Sequence, residues 1–408
     1  MNPKNRLEQL AIFGGGPAFR EKLHVGRPNI GDRERLLQRI NDLLDRRWLT
    51  NNGLYVQEFE QRIADMTGVE HCIAMCNATV ALEIASRALG LAGEVIVPAF
   101  TFIATAHALQ WQEITPVFCD IDPDTHNLDP DRVEEMITPR TTGIVGVHLW
   151  GRACDVDALT EVARKHNLKL LFDAAHAFGC SYKGRMIGGF GDAEVFSFHA
   201  TKFCNTFEGG AVTTDDGELA TRIRLMKNFG FAGYDNVIYV GTNGKMSEVS
   251  AAMGLTGLES LEQFIAVNRC NYKWYEHELA GIPGVQLVAY EETEECNYQY
   301  VILEIDEQIT RVNRDQLVEI LHAENVLARR YFYPGCHRME PYRSYFPHAS
   351  LLLPETERLV TRVLSLPTGT AVGADEITRI CQIIRWVIAH GPEVRERFLH
   401  HTGCSGIY

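Results

Sequence analysis

The chain has 408 residues and a formal net charge of −14, so it is long enough for two domains and too acidic for nonspecific binding to nucleic acid or anionic membranes. No apolar run approaches the roughly 20 residues that span a bilayer, and the polar start MNPKNRLEQL does not fit a secretory signal. Eleven cysteines without CxxC pairs are typical of reduced, buried thiols, which predicts a cytoplasmic protein.

The N-terminal 31 residues contain two glycine turns and predict an irregular arm. Arg27 in this arm is a candidate phosphate ligand, although a solvated arm residue is an equally good interpretation. Asp32 predicts the start of a helix that runs to Trp48, and the turn WLTNNG then leads into a second helix over Val56–Thr67.

From His71 onward, short apolar runs alternate with helical patterns, which predicts a doubly wound, mostly parallel sheet. The predicted strands are CIAM, Glu94–Val97, Pro116–Ile121, Gly143–Leu149, Leu170–Phe172, Glu194–Phe198 and Ala211–Thr214. The predicted helices between them are Val80–Leu89, Thr101–Gln112, Asp157–His166 and Glu218–Asn228.

An acid and an amine follow two of these strands. Asp173 ends the run Leu170–Phe172, and Lys202 comes just after the strand Glu194–Phe198. Ligands of open α/β sheets bind at the edge where the carboxyl ends of the strands lie, and both residues are expected there. The pair suits pyridoxal 5′-phosphate (PLP). Lys202 would hold the aldehyde as a Schiff base, and Asp173 would keep the ring nitrogen protonated. An aspartate at a strand end is also often only a helix cap, so the pair alone leaves both interpretations open.

Two further features of this region could meet a cofactor. Asn77, Ala78 and Thr79 open a helix, and the free N–H groups of a helix start suit a phosphate. Ordinary capping by Asn77 or Thr79 explains the same residues. Phe102, at the start of the next predicted helix, can stack on a flat ring or be plain core.

Beyond the sheet, the segment Gly230–Met246 predicts a long loop, which is usually functional but could be a surface turn. A long helix with little interruption, over roughly Ser247–Leu279, leads to a smaller α/β domain, whose tail after Gly391 is charged and predicted to fray. The strands predicted there are Gln286–Ala289, Gln299–Ile305 and Ala328–Phe332, and the helices are Arg314–Glu324, Glu355–Leu364 and Ala374–Ile388.

Three histidines near strand ends raise a different hypothesis. His148, His176 and His199 could form a catalytic metal site that activates water, as in a metal hydrolase. No HExxH or other short ligand spacing supports it, so hydrogen-bonded histidines at a pocket wall are the favoured interpretation and no metal is predicted.

Several motifs resemble one known family in their order and spacing: WLTNNG, EFE, PAFTFIATAHAL, PVFCDID, VHLWG, DAAHA, SFHATK, EGGA and GTNGKMSE. They are similar to the sugar aminotransferases related to DegT, DnrJ, EryC1 and StrS, and the similarity runs from about Val25 to the last predicted helix. CNAT and Ala92-Gly93-Glu94 depart from the usual family pattern, the first within the expected phosphate site.

The resemblance implies a PLP-dependent enzyme of fold type I, with a mostly parallel seven-stranded sheet in its large domain. The expected divisions are an arm (1–31), the large domain (32–258) and a small α/β domain (259–408). It also implies a homodimer with shared active sites, a nucleotide-linked keto sugar as substrate and L-glutamate as amino donor. The motifs VHLWGRACD, FSFHATK, NFGF and PGCH are similar to enzymes that aminate C4 of dTDP-4-keto-6-deoxyglucose.

The same resemblance implies roles for individual residues. The backbone amides of Ala78 and Thr79 and the hydroxyl of Ser197 would bind the PLP phosphate, Phe102 would cover the ring, and His176 would lie near the ring hydroxyl.

Three more residues are implied at the edges of the site. Asn243 would cross the dimer interface to the phosphate of the partner's PLP, and Tyr331 and His337 would reach over the sugar. Lys202 separates transaminases from a branch that has histidine there and removes a hydroxyl group instead. The alternatives left open are another ketone position, a GDP-linked sugar, a keto-cyclitol, or a non-catalytic PLP-binding regulator.

Overall fold

The computed structural model of the chain describes the backbone of residues 4–403 and the side chains of residues 4–400. Its helices are α1 (Arg33–Arg46), α2 (Leu54–Thr67), α3 (Ala78–Ala88), α4 (Ala104–Gln110), α5 (Pro130–Glu135), α6 (Val156–His166), α7 (Gly217–Met226), α8 (Glu248–Glu259), α9 (Leu261–Leu279), α10 (Glu307–Thr310), α11 (Arg314–Ala323), α12 (Tyr342–Tyr345), α13 (Pro354–Leu359), α14 (Ala374–Ala389) and α15 (Gly391–Gly403). Its strands are β1 (Leu23–His24), β2 (His71–Met75), β3 (Glu94–Pro98), β4 (Thr115–Cys119), β5 (Thr141–Val147), β6 (Lys169–Asp173), β7 (Ser181–Tyr182), β8 (Arg185–Met186), β9 (Ala193–Ser197), β10 (Gly210–Thr214), β11 (Val285–Leu287), β12 (Val301–Ile305), β13 (Val326–Leu327) and β14 (Val363–Leu366).

A seven-stranded sheet forms the centre of the large domain, in the order β2-β10-β9-β6-β5-β3-β4. Strand β10 runs antiparallel to both neighbours, and the other pairs are parallel. Strands such as β3 and β9 are buried along their whole length because helices cover both faces of the sheet. The predicted doubly wound, mostly parallel α/β sheet is confirmed.

The helices form one layer on each face of this sheet. α3, α4 and α7 pack their apolar sides on one face, and α2, α6 and α8 pack on the other. The parallel strands β6 and β9 therefore end side by side, with Asp173 and Ser197 as their last residues. This edge is where the fold can present side chains to a ligand.

The C-terminal domain has its own apolar core. The antiparallel sheet β11-β12-β14 packs against α9, α11 and α14. The predicted strand over Gln299–Ile305 and the predicted helices at Arg314 and Ala374 are confirmed within a few residues.

Two predicted elements of this domain are wrong. Ala328–Phe332 is not a strand, because the pairing with β1 ends at Leu327 and this segment then makes one isolated bridge, between Arg329 and Ser365. The second half of the predicted helix Glu355–Leu364 is also wrong, since Val363–Leu366 pairs antiparallel with β12. A short buried apolar run fits a helix or a strand equally well in sequence, and here the neighbouring strand decides.

Two other predictions also need correction. The long helix over Ser247–Leu279 is broken at Ser260, which has φ −107° and ψ 8° and separates α8 from α9. The tail after Gly391 was expected to fray, but it forms α15, with Val394 and Phe398 buried in the C-terminal core. Residues 404–408 of that tail lie outside the described residues.

The N-terminal arm is held to the C-terminal domain by a buried carboxylate. Glu324 accepts hydrogen bonds from Lys4 Nζ at 2.6 and 2.7 Å and from the backbone N–H groups of Ala11 and Ala18.

No helix in the described residues is both long and apolar enough to cross a membrane. The boundaries 1–31, 32–258 and 259–408 stay predictions.

Candidate active site

A cavity of 320 Å³ lies at the carboxyl edge of the sheet, between the large domain and the C-terminal domain. This volume is in the range of small-molecule sites. Eight of the residues predicted for a PLP and substrate site line it: Ala78, Thr79, Phe102, Asp173, His176, Ser197, Lys202 and Tyr331. The structure thus brings together side chains that are up to 253 residues apart in sequence (331 − 78 = 253).

Asp173 provides a buried carboxylate at the end of β6. Its Oδ2 accepts from Thr105 Oγ1 at 2.8 Å, and its Oδ1 accepts from the N–H of Ala175 at 3.1 Å. Burial raises the pKa of Asp173, and these hydrogen bonds and the charge of Lys202 oppose that rise. A carboxylate held this way fits a ligand that carries a positive charge, such as a protonated ring nitrogen.

Lys202 faces the same cavity from the turn after β9, where its N–H donates to the carbonyl of His199. Its Nζ lies 3.2 Å from the hydroxyl of Tyr300. Burial lowers the pKa of Lys202 to about 8, although the charge of Asp173 opposes this. With this pKa roughly a fifth of the amine is neutral near physiological pH, and the neutral amine is the form that attacks an aldehyde.

The start of α3 forms the polar corner of the cavity. The side chain of Asn77 caps the helix by accepting from the N–H of Val80 at 2.8 Å, so the N–H groups of Ala78 and Thr79 have no intrahelical acceptor. β10 packs tightly here: a Cβ at Gly210 would lie 2.6 Å from the nitrogen of Ala78. These amides, with Ser197 beside them in the cavity lining, fit a phosphate.

Aromatic side chains line the other walls. His176 accepts the N–H of Trp150 on Nδ1 at 3.2 Å, and its ring stacks on Phe332 with centroids 5.8 Å apart. Burial and the charge of Lys202 lower the pKa of His176 well below its usual value, so the ring is neutral. Phe102 lies at the cavity with 55% of its surface exposed, as expected of a ring that a ligand would cover. Together, the amine, the carboxylate, the helix start and the aromatic walls fit PLP.

Three predicted site residues do not line this cavity. Arg27 lines a smaller adjoining cavity that shares Thr201, Tyr300 and Tyr331 with the main one. His337 is 2% exposed and lies 2.7 Å from Glu357, so its predicted place at the sugar is not supported. Its ring lies against that of Phe118 in β4, with centroids 6.5 Å apart, and is not part of the cavity lining.

Asn243 is exposed and absent from the cavity lining of its own chain. Its backbone forms an isolated bridge with Asn228, which fixes the base of the loop over Gly230–Met246. This position neither tests nor removes the expectation that the side chain serves a partner subunit.

The three histidines of the metal hypothesis have separate environments. His148 is fully buried, accepts the N–H of Cys154 and lies 3.3 Å from Glu194. His176 contacts Trp150, and His199 contacts Thr201 at 2.8 Å. Within residues 4–400, no group of three histidine, cysteine, aspartate or glutamate side chains could hold a metal ion.

Sequence reasoning missed some residues of the cavity, among them Tyr300 and Arg329. Tyr300 precedes β12, and Arg329 lies in the segment wrongly predicted as a strand, with its guanidinium 5.4 Å from the ring centre of Tyr331. Among the described residues no acidic side chain pairs with Arg329. Neither residue stands in a recognisable motif, because the C-terminal domain brings both to the cavity only after folding.

Comparison with known proteins agrees with this site. The model of the DegT/DnrJ/EryC1/StrS aminotransferase family matches residues 31–385. A dTDP-4-amino-4,6-dideoxy-D-glucose transaminase of Escherichia coli is 35% identical over 363 residues, which are 88% of this chain and 97% of that protein. A GDP-perosamine synthase of Caulobacter vibrioides is 35% identical over 90% of this chain and 98% of its own.

Among solved structures, DesI in the presence of its TDP-sugar product superposes with a TM-score of 0.93 and 54% identity. The match covers 97% of this chain and all of DesI. Aminotransferases of this kind use PLP, for which the cavity around Lys202 and Asp173 is suited. Because the similarity spans nearly the whole chain in both sequence and fold, the chain belongs to the DegT/DnrJ/EryC1/StrS family of PLP-dependent sugar aminotransferases.

Proposed function

We propose that this enzyme transfers the amino group of L-glutamate to the C4 ketone of dTDP-4-keto-6-deoxy-D-glucose, giving dTDP-4-amino-4,6-dideoxy-D-glucose. The observation that supports this most is the 54% identity to DesI, which was solved in the presence of a TDP-sugar product. Two curated transaminases named for dTDP-4-amino-4,6-dideoxy-D-glucose, at 35% and 37% identity, support the same sugar.

A GDP-linked sugar is the second candidate, because GDP-perosamine synthases reach 35% and 33% identity over similar lengths. Purified enzyme, given L-glutamate and either dTDP-4-keto-6-deoxyglucose or GDP-4-keto-6-deoxymannose, distinguishes the two by the mass of the product. The proposal expects the dTDP-linked amine to form with the higher kcat/KM. A higher kcat/KM for the GDP-linked sugar would contradict it, and turnover of neither would favour the non-catalytic regulator.

Bound PLP supplies an aldehyde that takes up an amine and a ring that accepts electrons from the substrate carbon. Lys202 would hold the aldehyde between reactions and, once released, would carry a proton between the substrate carbon and the cofactor. Its lowered pKa suits this role, because an amine with a pKa of about 8 can both take and return a proton near neutral pH. Asp173 holds the proton on the ring nitrogen.

The remaining cofactor contacts come from residues already in place. The N–H groups of Ala78 and Thr79 and the hydroxyl of Ser197 would bind the phosphate, and all three residues line the cavity. Phe102 would cover one face of the ring and His176 would lie near the ring hydroxyl, and both line the same cavity. These roles are proposals, supported by the shared cavity and by the resemblance to the family.

Substrate anions require a cation that is not already paired. Arg329 lines both the main cavity and a neighbouring one of 390 Å³, and no acidic group in the described chain pairs with it. We assign it to an anionic group of the substrates, either a carboxylate or the diphosphate, and we place Tyr331 at the sugar. Arg27 in the adjoining cavity is a further candidate for the diphosphate.

We further propose a homodimer in which Asn243 reaches the phosphate of the partner's cofactor. The loop that carries it, together with the residue before it, exposes large apolar side chains: Phe229, Phe231, Val237, Ile238 and Val240. An apolar surface of this kind marks an interface, and a second copy of the chain is the occupant that we propose. The cytoplasmic location inferred from the cysteines stays a prediction.

A mixed dimer tests this sharing. If one subunit carries Lys202→Ala and the other Asn243→Ala, a shared site puts both lesions in one active site and none in the other. The dimer should then keep about half of the wild-type activity, since an isologous dimer has two equivalent sites. Differently tagged subunits allow the mixed species to be purified and assayed.

The matched controls are the two homodimers, each with every site damaged. If Asn243 served its own subunit, each site of the mixed dimer would carry one lesion, and activity would not exceed that remaining in the Asn243→Ala site. A chain that is monomeric at assay concentration, by light scattering, would also contradict the proposal.

The lowered pKa of Lys202 predicts how cofactor attachment depends on pH. Only the neutral amine attacks the aldehyde, so the attachment rate of the apoprotein should rise about tenfold per pH unit below pH 8 and level off above it. Stopped-flow absorbance at constant ionic strength measures the rate. Pyridoxal, which lacks the phosphate, serves as control for ionisation of the phosphate. A rate that keeps rising to pH 10 would mean that the amine is not shifted.

A further inference from the structure

The amine of Lys202 has one hydrogen-bonding side-chain partner in the described chain, the hydroxyl of Tyr300 at 3.2 Å. Tyr300 lines the cavity beside Lys202 and is only 6% exposed. The side chain of Gln299 also hydrogen-bonds to Tyr300. A buried hydroxyl without a partner costs stability, so these contacts are part of how the site is built.

Tyr300 is fixed from both sides. Its N–H donates to the hydroxyl of Tyr290 at 3.1 Å, and that hydroxyl also lies 3.0 Å from the carbonyl of Tyr300 and 3.1 Å from that of Trp150. Its ring contacts His176, with centroids 4.7 Å apart. Trp150 belongs to the large domain, as does Lys202, whereas Tyr300 belongs to the C-terminal domain. The contacts of the Tyr290 hydroxyl with Trp150 and Tyr300 therefore fix the position of Tyr300 relative to Lys202.

We propose that the hydroxyl of Tyr300 positions the free amine of Lys202 for proton transfer. This inference rests on the proposed role of Lys202 as the proton carrier. During the part of the reaction when Lys202 is not bonded to the cofactor, its long side chain would otherwise be free to rotate. Tyr300 is therefore a positioning residue, which acts through Lys202.

The phenol suits both protonation states of the amine. It donates its proton in a hydrogen bond to the neutral amine and accepts one from the ammonium form, and it keeps its own proton in both cases. Burial raises the pKa of Tyr300 well above its usual value, so the phenol stays protonated at working pH. The partner of Lys202 thus stays the same while the amine gains and loses a proton.

The test is Tyr300→Phe, which keeps the ring and removes the hydroxyl. The variant should still bind PLP on Lys202, shown by borohydride reduction and peptide mapping. In a single turnover with L-glutamate, the rate of amino transfer should fall roughly 10- to 100-fold at saturating substrate. The isotope effect from Cα-deuterated glutamate should rise, because proton transfer becomes slower relative to the other steps. A merely structural role would not move the isotope effect.

Tyr272→Phe is the matched control, since Tyr272 is another buried tyrosine of the C-terminal domain, whose hydroxyl donates to the carbonyl of Val288 at 3.2 Å. It should leave the rate and the isotope effect unchanged. Tyr290→Phe, which loosens the backbone of Tyr300 and keeps its hydroxyl, should slow transfer less but in the same direction, and it remains informative if Tyr300→Phe fails to fold.

Three outcomes would overturn the inference. The first is a rate and isotope effect within twofold of wild type in Tyr300→Phe. The second is loss of covalent PLP in that variant, which would assign Tyr300 to the cofactor. The third, if Tyr300→Phe cannot be folded, is a wild-type rate and isotope effect in Tyr290→Phe. Failure of wild-type enzyme to transfer the amine of glutamate would instead refute the proposed function, so the two failures are distinguishable.

Discussion

Lys202→Ala should bind no PLP covalently and should lose aminotransferase activity by on the order of 10⁴-fold. The amine is both the attachment point of the cofactor and the proposed proton carrier, and no other lysine lines the cavity in the described chain. Borohydride reduction of the wild-type holoenzyme, followed by peptide mapping, should place the cofactor on Lys202. Activity is measured in parallel with L-glutamate and the keto sugar.

Two further variants make this result specific. Lys202→Arg keeps a positive charge but has no amine that can be neutral at working pH, so it should be as inactive as Lys202→Ala. Lys165→Ala removes an exposed lysine that pairs with Glu134 and should leave activity unchanged. A cofactor label on another lysine, or substantial activity in Lys202→Arg, would contradict the assignment.

The folded state should survive the loss of Lys202. Because the pKa of this amine falls from 10.5 to about 8 on folding, the unfolded chain binds more protons between those values, and stability rises with pH across that window. Below pH 8 the charged amine is buried in the folded state, which lowers the free energy of unfolding. Lys202→Ala apoprotein should therefore unfold no earlier than wild type at pH 7, which thermal denaturation without PLP can check.

The architecture of the large domain could be predicted because the strands of its central sheet are mostly buried apolar runs, and five of the seven (β2, β3, β4, β5 and β10) lead into a helix. Asn77 and Asp155 cap α3 and α6 with their side chains, as such residues commonly do. The same regularity placed Asp173 and Lys202 at one sheet edge, since parallel strands end together. The resemblance implied a seven-stranded sheet, and the order of its strands was not predicted but comes from the structure.

The C-terminal domain was predicted less well, for reasons of tertiary structure. Val363–Leu366 is a strand because β12 offers it a partner, and the run alone does not distinguish helix from strand. The tail after Gly391 is polar overall, yet Val394 and Phe398 bury enough apolar surface to hold it as a helix.

Two residues of the site were missed because their positions also depend on tertiary structure. Tyr300 and Arg329 reach the cavity from segments that are irregular in structure and carry no motif. Their proximity to Lys202 depends on how the two domains meet. A sequence pattern records local periodicity and turn chemistry, and a contact across a domain boundary leaves no trace in either. His337 was misplaced for the converse reason, because a histidine in a familiar motif can still be buried in a structural pair with Glu357.

Asp173→Asn should lower turnover by about 3–5 kcal/mol of transition-state stabilisation, or roughly 10²- to 10⁴-fold in kcat. The amide has nearly the same shape: its oxygen can still accept from the N–H of Ala175, and its NH2 can donate to the hydroxyl of Thr105, which can in turn donate to Thr101, so the cavity should keep its form. What is lost is the negative charge that holds a proton on the ring nitrogen. An electrostatic role of this kind is largest in a site from which water is excluded.

Asp173→Asn should not lower the stability of the apoprotein, although it should lower activity. Burial raises the pKa of Asp173 on folding, so the unfolded carboxyl loses its proton first, and the apoprotein loses stability as the pH rises from the usual value of 3.8 through the raised one. At pH 7 the neutral amide should therefore cost the apoprotein little or nothing, which thermal denaturation can measure.

Asp120→Asn is the matched control for this prediction. Asp120 is a buried aspartate that follows β4 at the same sheet edge, but its carboxylate accepts from the N–H groups of Glu355 and Thr356 and does not line the cavity. Its replacement should lower the unfolding temperature and leave kcat nearly unchanged, the reverse of the result for Asp173. If Asp173→Asn instead kept near-normal turnover with bound PLP, the carboxylate would have no part in the chemistry and would be only a buried link between β6 and the segment around Thr105.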